Sequence, residues 1–481
     1  MRIPALGLGR DAIFAALEQY RVHDTPWREG RTWAYVYDPG PAAESVIKEA
    51  FVAYLGENGL DPTAFPSALR LENEVVAMAA AHLHGDAAVV GNFTSGGTES
   101  ILLAVKAARD HAREKRPRVR RPQIVLPETA HAAFHKAAHY LDVDVVNVPA
   151  DPKSFRADVG AIRDAIGEDT VLLVGSAISY AHGVVDPIEE IAELAAERGL
   201  LCHVDACMGG FLLPYFEELG RPVPRFDFRV PGVTSISMDL HKYAFAAKGA
   251  STILYRSAEL RKYQMYACSD WMGYTVINPT VQSSKSAGPI AAAWAALRFI
   301  GANGYREIAR GVAEATDRIV AAIDAHPDLR VLGRPDMNLL AFASDTVGVF
   351  HIADEMKLRN WTVQPQLAYG ASPENVHLSV NPASLRWVDE FLRDLFEATE
   401  AARALPVGEL APKIREAFGK LSPADVSDEV FRGMLAMAGL EGTGLPGRMA
   451  EINEVLNALP VPLRERLLVE YLNRLYRSEG N

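Results

Sequence analysis

Cysteine is scarce in this chain of 481 residues, which contains only Cys202, Cys207 and Cys268. Three irregularly spaced cysteines do not make a disulfide framework, so a reducing compartment is expected. A zinc site built from Cys202, His203 and Cys207 is disfavoured, because adjacent strand residues point to opposite faces and no second ligand pair follows at zinc-finger spacing. The sequence therefore predicts neither disulfides nor a bound metal.

Positive charge is also in short supply. The formal net charge is −12, which argues against nucleic acid or an anionic membrane as a partner. The basic cluster from Arg113 to Arg121 is interrupted by Pro117 and followed by Pro122, and it contains no aromatic residue. It is therefore interpreted as a solvated loop rather than a binding patch, and a small molecule is the expected partner.

Long apolar runs are absent as well. The longest candidate, Ala287 to Leu297, is flanked by Lys285 and Arg298 and is too short to span a bilayer. The N-terminus lacks the basic-then-apolar pattern of a signal peptide. We therefore expect a cytoplasmic protein that does not use a membrane as its partner.

What the sequence does contain is an alternation of apolar, strand-like runs with amphipathic helical segments. Continuous apolar strands separated by such helices predict an α/β fold with a mainly parallel sheet covered on both faces. The runs lie at residues 123–126, 145–148, 171–175, 200–204, 233–237 and 251–255.

Lys242 follows one of these runs, in the stretch Ser237-Met238-Asp239-Leu240-His241-Lys242. Most lysines are solvated surface groups. A lysine on the turn after a buried strand, however, is suited to hold an aldehyde cofactor as a Schiff base. Another run is closed by Asp205. Ligands of parallel sheets gather at the carboxyl ends of the strands, so Asp205 and Lys242 are expected at one site.

A glycine pair in Thr94-Ser95-Gly96-Gly97-Thr98 stands where a loop turns into a helix, because Ile101, Leu102, Val105 and Ala108 then follow on one stripe. Unpaired N–H groups and the positive end of the helix dipole suit a phosphate there. An ordinary capped helix start is the alternative interpretation.

Pyridoxal phosphate requires a Schiff-base lysine, an anion at its ring nitrogen, a stacking group and a phosphate-binding loop. Lys242, Asp205, His131 and the Gly96-Gly97-Thr98 loop can meet these needs in turn. A carboxylate beside the pyridinium favours its protonated form. His135 and His139 follow His131 on the same segment, and any of the three can be an ordinary helix residue.

On these residues the chain resembles the pyridoxal-phosphate enzymes of fold type I, in the group II decarboxylase superfamily, most closely the sphingosine-1-phosphate lyase branch. Each motif is modest alone, and their order and spacing carry the resemblance. The motifs are Thr94-Ser95-Gly96-Gly97-Thr98-Glu99-Ser100, Thr129-Ala130-His131, His182-Gly183, His203-Val204-Asp205-Ala206-Cys207-Met208-Gly209-Gly210-Phe211, Asp239-Leu240-His241-Lys242-Tyr243 with Lys248-Gly249, and His377-Leu378-Ser379-Val380.

The resemblance implies a fold like that of the pyridoxal-phosphate-dependent transferases and a set of residue roles. Lys242 would carry the Schiff base, Asp205 would pair with the ring nitrogen and His131 would stack on the ring. The phosphate would be held by Gly97, Thr98 and His241.

Three further residues follow from the resemblance. Ser284 would enter the phosphate site of a neighbouring subunit, which implies a homodimer with shared active sites. Tyr37 would lie on the substrate side, with Lys248 close to it. Simple packing and loop roles are the alternatives for Tyr37 and Ser284.

The chain also departs from the lyase pattern. Asp61 stands where the lyases often carry histidine, Ser179 stands where asparagine is common, and Ser283-Ser284-Lys285-Ser286 replaces a Gly-Ser-Arg-Pro type segment. A carboxylate facing the pocket at Asp61 would repel a phosphorylated substrate.

Four parts of the chain are expected. They are an N-terminal arm (1–60), a large cofactor-binding domain (61–300), a small C-terminal α+β domain (301–405) and a helical extension (406–481). In the small domain the patterns predict helices at 306–325 and 387–402 and strands at 339–343, 347–350 and 376–380. In the extension, leucines at 463, 467, 468, 472 and 475 share one helix face with Tyr471.

The expected function is that of a carbon–carbon lyase, which splits a 2-amino alcohol, phosphorylated or not, by retro-aldol cleavage. A base must take the β-hydroxyl proton, and Tyr37, Lys248 or a substrate phosphate are candidates. The alternative is an amino-acid decarboxylase acting on a similar small-molecule amine. A non-catalytic scaffold is disfavoured because Lys242, Asp205 and the glycine loop are all present.

Overall fold

The computed structural model describes residues 2–406 and 447–476, together with the isolated positions 412, 413, 416 and 433. The largest sheet in this part of the chain has seven strands, in the spatial order β1-β7-β6-β5-β4-β2-β3. These strands are β1 Val90–Thr94, β2 Gln123–Pro127, β3 Asp144–Val148, β4 Thr170–Ser176, β5 Leu201–Asp205, β6 Ser235–Asp239 and β7 Ser251–Tyr255.

The sheet is mainly parallel, as the apolar runs predict. β3, β2, β4, β5 and β6 pair in parallel, whereas β7 runs antiparallel to both β6 and β1. The connection from β6 to β7 explains the reversal. It spans only residues 240–250 and contains no helix, and a parallel connection normally needs a crossover helix.

Helices cover both faces of the sheet. The helices of the chain up to residue 261 are α1 Arg10–Tyr20, α2 Pro41–Ala53, α3 Pro66–His82, α4 Gly97–Lys115, α5 Ala133–Leu141, α6 Val159–Ala165, α7 Ile188–Glu197, α8 Leu213–Glu218 and α9 Ala258–Arg261. Alternate residues of β2 point to opposite faces. Ile124 and Leu126 join the core under α4 and α5, and Val125 joins the core that contains α7 and α8.

The expected boundary at residue 300 falls within one long helix, α10 Gly288–Ala325. Its backbone leaves helical geometry only at Gly301, with φ 64° and ψ 168°. This position favours glycine because φ is positive. The helix contacts α2 and α3 along its first part, so the expected N-terminal arm is tied to the large sheet through α10.

Beyond α10 a second sheet has the order β10-β11-β13-β12, with all its neighbours antiparallel. Its strands are β10 Arg330–Val331, β11 Leu339–Ala343, β12 Gln364–Gln366 and β13 Asn375–Ser379, and its helices are α11 Val349–Leu358 and α12 Val388–Arg403. A short hairpin, β8 Tyr266–Cys268 with β9 Val276–Asn278, lies before α10.

The strand expected at 347–350 is wrong, because residues from Val349 onward form α11. Every residue of α11 from Val349 to Met356 is buried. A short apolar run does not distinguish a buried strand from a buried helix, and here the apolar character continues at helical length.

The helical tail is described from residue 447 as α13 Ala450–Ala458 and α14 Val461–Leu475. The remainder of the extension expected at 406–481 lies outside the described residues, apart from Pro406 and the four isolated positions. Asp354 on α11 accepts hydrogen bonds from the N–H groups of Met449 (2.9 Å) and Ala450 (2.8 Å), which caps α13. On the expected face of α14, Leu463 and Leu467 are buried and the other leucines are exposed.

Within the described residues, no helix combines the length and the apolar character needed to cross a membrane.

Trp33 anchors the N-terminal segment to the small sheet. Its side chain is fully buried and stacks on Phe391 with the ring centroids 3.9 Å apart. Its N–H donates to the carbonyl of Thr362 (2.8 Å), and its carbonyl accepts from the N–H of Ser379 (2.7 Å). Residues 32–33 therefore lie between α12 and the small sheet and bring the following residues to the same end of the large sheet as β6.

Replacing Trp33 by alanine is expected to lower the free energy of unfolding by about 3–5 kcal/mol, because it removes a fully buried indole and leaves a cavity. Thermal or denaturant unfolding measures the change. Tyr140→Ala is the control, since Tyr140 is 63% exposed and should change stability by less than about 0.5 kcal/mol. A Trp33→Ala variant as stable as this control would contradict the anchoring role.

Candidate active site

A cavity of about 360 Å³ opens at the carboxyl ends of β4, β5 and β6. It lies where the crevice of an open parallel sheet is expected to bind ligands. The structure brings most of the predicted cofactor residues to its wall. These are Gly96, Gly97, Thr98, His131, Asp205, His241 and Lys242.

Lys242 lies on the tight turn that follows β6. The N–H groups of Leu240 and His241 both donate to the carbonyl of Ala250, which folds the turn back onto β7. The amine Nζ of Lys242 is 2.9 Å from Oδ2 of Asp239. Burial tends to lower the pKa of Lys242, but the charge of Asp239 and the neighbouring Cys207 raise it above its ordinary value.

Asp205 ends β5 and is buried, with 7% of its surface exposed. Its Oδ1 accepts hydrogen bonds from the N–H of Cys207 (3.1 Å) and the hydroxyl of Ser237 (3.4 Å). Among the described residues, no lysine, arginine or histidine forms an ion pair with it. The carboxylate is therefore fixed by neutral donors and available to a cationic ring nitrogen.

The first turn of α4 forms one wall of the cavity. Gly96 has φ 154°, and a Cβ on Gly97 would lie 2.9 Å from both carboxylate oxygens of Asp239 and from Sγ of Cys207. Only glycine permits this approach of α4 to the ends of β5 and β6. The first N–H groups of a helix lack intrahelical partners, so those at this turn can bind phosphate oxygens.

His131 lies at the start of α5, where its Nδ1 accepts a hydrogen bond from the N–H of Ala133 (3.1 Å). It lines the cavity, whereas His135 and His139 do not. Of the three histidines on this segment, His131 is therefore the one whose position fits the predicted stacking role.

Tyr37 and Lys248 lie together beside this cavity. Nζ of Lys248 is 4.5 Å from the centre of the Tyr37 ring and donates to the carbonyl of His241 (3.2 Å). The Tyr37 hydroxyl is 3.9 Å from Sδ of Met208, a lining residue. Burial raises the pKa of the Tyr37 phenol. Partial burial of the amine and the charge of Lys242 lower the pKa of Lys248 to about 8.

Ser284 and Asp61 lie outside the cavity. Ser284 is exposed, on a loop whose Val281 N–H donates to Oε1 of Glu99 (2.8 Å). Its role in a neighbouring subunit stays a prediction. Asp61 is also exposed, and its Oδ1 accepts from Thr63 and Ala64 within its own turn. Within one chain, Asp61 therefore adds no negative charge to the pocket. Ser179 is buried between the lining residues Ile178 and Tyr180.

Two further lining residues were not assigned a role from the sequence. Tyr180 stacks on His377 with the ring centroids 4.3 Å apart and donates to Oε1 of Gln364 (2.5 Å). Asp239 ends β6 as Asp205 ends β5. The signal that identified Asp205, a carboxylate closing an apolar run, is equally present at Asp239. No local pattern marks Tyr180.

The donor set suits pyridoxal phosphate. One cavity wall provides an amine at Lys242, a carboxylate at Asp205 that forms no ion pair with the described residues, and the N-terminal turn of a 19-residue helix at Gly97. His131 supplies a flat ring beside them. These are the four groups that this cofactor requires.

Comparison with known proteins matches two family models. The model described as "Pyridoxal-dependent decarboxylase conserved domain" matches residues 24–344. The model described as "Pyridoxal-dependent enzyme, C-terminal putative HTH domain" matches residues 412–474.

Curated relatives and solved structures extend the similarity. The sphingosine-1-phosphate lyase of Arabidopsis thaliana is 40% identical over 440 residues, which cover 89% of this chain and 79% of that protein. Sphingosine-1-phosphate lyase 1 of Rattus norvegicus is 38% identical over 82% of this chain and 69% of its own length.

Among structures, a sphingosine-1-phosphate lyase of Burkholderia pseudomallei has a TM-score of 0.80 at 37% identity, covering 87% of this chain and 95% of that one. A glutamate decarboxylase of Lactobacillus brevis has a TM-score of 0.73 at 20% identity, covering 85% of this chain and 96% of that one. At 20% identity the second structure shows a shared fold only.

Gly97→Ala is expected to weaken binding of pyridoxal phosphate about tenfold or more, because the added methyl group must displace Asp239, Cys207 or the helix turn itself. Titration of cofactor-free protein, followed by visible absorption, measures the affinity. Gly167→Ala is a matched control, since the nearest atom to its Cβ is 3.9 Å away. Equal affinities of the two variants would contradict a close-packed loop.

Proposed function

This chain belongs to the pyridoxal-dependent decarboxylase family and is a pyridoxal-phosphate-dependent lyase, and we propose that it cleaves the carbon–carbon bond of a phosphorylated 2-amino alcohol of the sphingosine-1-phosphate type. The observation that carries the proposal is its similarity to sphingosine-1-phosphate lyases, at 40% identity over 89% of the chain. The expected cofactor and lyase class are thereby confirmed, and a non-catalytic scaffold is set aside.

The cavity favours this substrate over an amino acid. A decarboxylase has to hold the carboxylate of its substrate, and no arginine is present among the described residues that line the cavity. Three carboxylates, those of Glu99, Asp205 and Asp239, line the cavity instead. Within the single chain, Asp61 is bound in its own turn and does not line the cavity, so it is no objection to a phosphorylated substrate.

Each residue of the site has a defined task in this proposal. Pyridoxal phosphate, when bound, would supply an electron sink for the α-carbon of the substrate. Lys242 would hold the cofactor, and Asp205 would favour a protonated ring nitrogen. His131 would hold the ring by stacking. The N–H groups of the first turn of α4, with His241, would hold the phosphate.

Lys248 is the base for the bond-breaking step. Retro-aldol cleavage requires removal of the proton from the β-hydroxyl, after which the bond between the α- and β-carbons breaks and the β-carbon leaves as an aldehyde. With a pKa of about 8, Lys248 is partly neutral near physiological pH. The Tyr37 phenol, whose pKa is raised, stays protonated and orients the hydroxyl by donating a hydrogen bond.

A homodimer with shared sites is part of the proposal. Its support is the exposed position of Ser284 and a group of exposed apolar side chains on and beside the β8–β9 hairpin. These are Tyr266, Trp271, Met272, Tyr274 and Ile277. Such a patch is typical of an interaction surface.

We place the protein in the cytoplasm and without a nucleic-acid partner. The support is the presence of three free cysteines and the acidic net charge of −12. The segment 412–474, matched by the putative HTH model, contains nine acidic and eight basic residues. It therefore lacks the cationic excess that neutralises phosphates in nucleic-acid binding.

Product analysis tests the reaction. The loaded enzyme is expected to release a long-chain aldehyde from a phosphorylated long-chain 2-amino alcohol and no carbon dioxide from glutamate or aromatic amino acids. Lys242→Ala is the control and should lack both the product and the visible absorption band of the attached cofactor. Carbon dioxide release without aldehyde would instead establish the decarboxylase.

The pH dependence of kcat/KM tests Lys248. Because a base acts in its deprotonated form, activity should rise with pH up to about 8, the pKa of this amine in the free enzyme. Lys248→Met should lower kcat/KM by about 10²–10⁴-fold and remove that rise. Lys262→Met, at an exposed lysine paired with Glu259, is the control. A rise that persists in Lys248→Met would assign the base elsewhere.

A further inference from the structure

Asp239 is a buried carboxylate of the cavity for which the proposed reaction has no task. Asp239 is 3% exposed and lies at the end of β6. Its Oδ2 is 2.9 Å from Nζ of Lys242 and 3.6 Å from Nε2 of His241. Its Oδ1 is buried and has no hydrogen-bond partner among the described residues. Burying a carboxylate is costly unless its charge is compensated, so this placement calls for an explanation.

The two aspartates of the cavity are held in different ways. β5 and β6 are parallel neighbours, and Asp205 pairs in register with Ser237, two residues before Asp239. Asp205 is bound by the Cys207 N–H and the Ser237 hydroxyl, whereas Asp239 is bound by the amine of Lys242. Asp205 is thus available to a ligand, whereas Asp239 contacts Lys242 of the same chain.

Asp239 has little freedom to move. It pairs in register with Ser251 on the antiparallel strand β7. The site of a Cβ on Gly97 lies 2.9 Å from both of its carboxylate oxygens, so the first turn of α4 closes over it. A fixed, buried carboxylate restricts a flexible lysine side chain far more than a surface partner does.

We propose that Asp239 is the positioning residue of Lys242, which holds the lysine amine at the end of β6 whenever that amine is not joined to the cofactor. The inference rests on the proposed function, because a lysine that holds the cofactor would be free whenever a substrate amine took its place. The contact itself is a property of the cofactor-free chain. Held there as a cation, the amine stays beside the cavity.

The charges around Lys242 are consistent with this role. Burial lowers the pKa of the amine, and Asp239, Cys207 and Asp205 act against it and raise the pKa above the ordinary lysine value. On its own turn, His241 and Lys248 are the nearby basic groups, and both have lowered pKa values. The phenols of Tyr37 and Tyr180 have raised pKa values and remain neutral. Asp239 is the group in direct contact with the amine.

The experiment measures the reactivity of Lys242 in full-length, cofactor-free protein. Only a neutral amine reacts with acetic anhydride, so the labelling of each lysine against pH, read by mass spectrometry, follows its protonation. In the wild-type protein, labelling of Lys242 should begin at a higher pH than labelling of the exposed Lys153. In Asp239→Asn, labelling of Lys242 near pH 8 should be about tenfold faster or more, which corresponds to a fall of about one pKa unit.

Two further variants separate charge from shape. Asp239→Glu keeps the charge and should leave Lys242 slow to label. Asp110→Asn removes a comparable carboxylate, 2.9 Å from Lys106 on the surface of α4, and should leave Lys242 unchanged. Rapid mixing with pyridoxal phosphate provides a second readout. In Asp239→Asn, the visible absorption band of the attached cofactor should form at lower pH than in the wild-type protein.

The proposal is overturned if wild-type Lys242 titrates at or below the value of exposed lysines, a result that does not require any variant to fold. It is also overturned if Asp239→Asn, folded by circular dichroism, labels like the wild type. Because no substrate is present, these outcomes are independent of whether the loaded enzyme releases an aldehyde.

Discussion

Parallel pairing of β4, β5 and β6 is the constraint on which the site depends. In a parallel sheet the carboxyl ends of neighbouring strands lie at one edge, so residues far apart in the sequence meet there. Ser176, Asp205 and Asp239 close these three strands, and all line one cavity. The turn that carries Lys242 has its position because β7 reverses direction and accepts the backbone of β6 as an antiparallel neighbour. Loss of this register would disperse the amine and both carboxylates.

Close approach of α4 to the strand ends completes the cavity. The glycine at position 97 allows the helix start to come within contact distance of Asp239 and Cys207. Glu99 then accepts the N–H of Ser95 (2.6 Å) and that of Val281 (2.8 Å), so one buried carboxylate holds both the glycine loop and the loop that carries Ser284. The wall of one cavity is thereby joined mechanically to the loop proposed to serve the neighbouring subunit.

Much of the fold and the centre of the site could be predicted from the sequence because their signals are local. The buried strands are continuous apolar runs; Asp205 closes one of them, and Lys242 follows another on the next turn. Tyr37 and Lys248 carry no such signal and were named only through a family resemblance. Their contact across more than 200 residues needs the folded chain. Tyr180 was missed for the same reason, and Asp239 was missed although its signal equals that of Asp205. The prediction of a strand at 347–350 was wrong because a short apolar run fits a buried helix equally well.

The continuity of α10 has a consequence for dissecting the molecule. Its first part contacts α2 and α3 beside the large sheet, and its later part contacts α12 and β10 of the small one. A gene fragment ending at residue 300 would cut this helix and remove Ala309, Val312 and Ile319, which are fully buried, and so expose the surface that they cover. The two sheets are therefore expected to fold together rather than as separable domains. A fragment designed to isolate either sheet would have to keep α10 whole, because the helix packs against elements of both sheets.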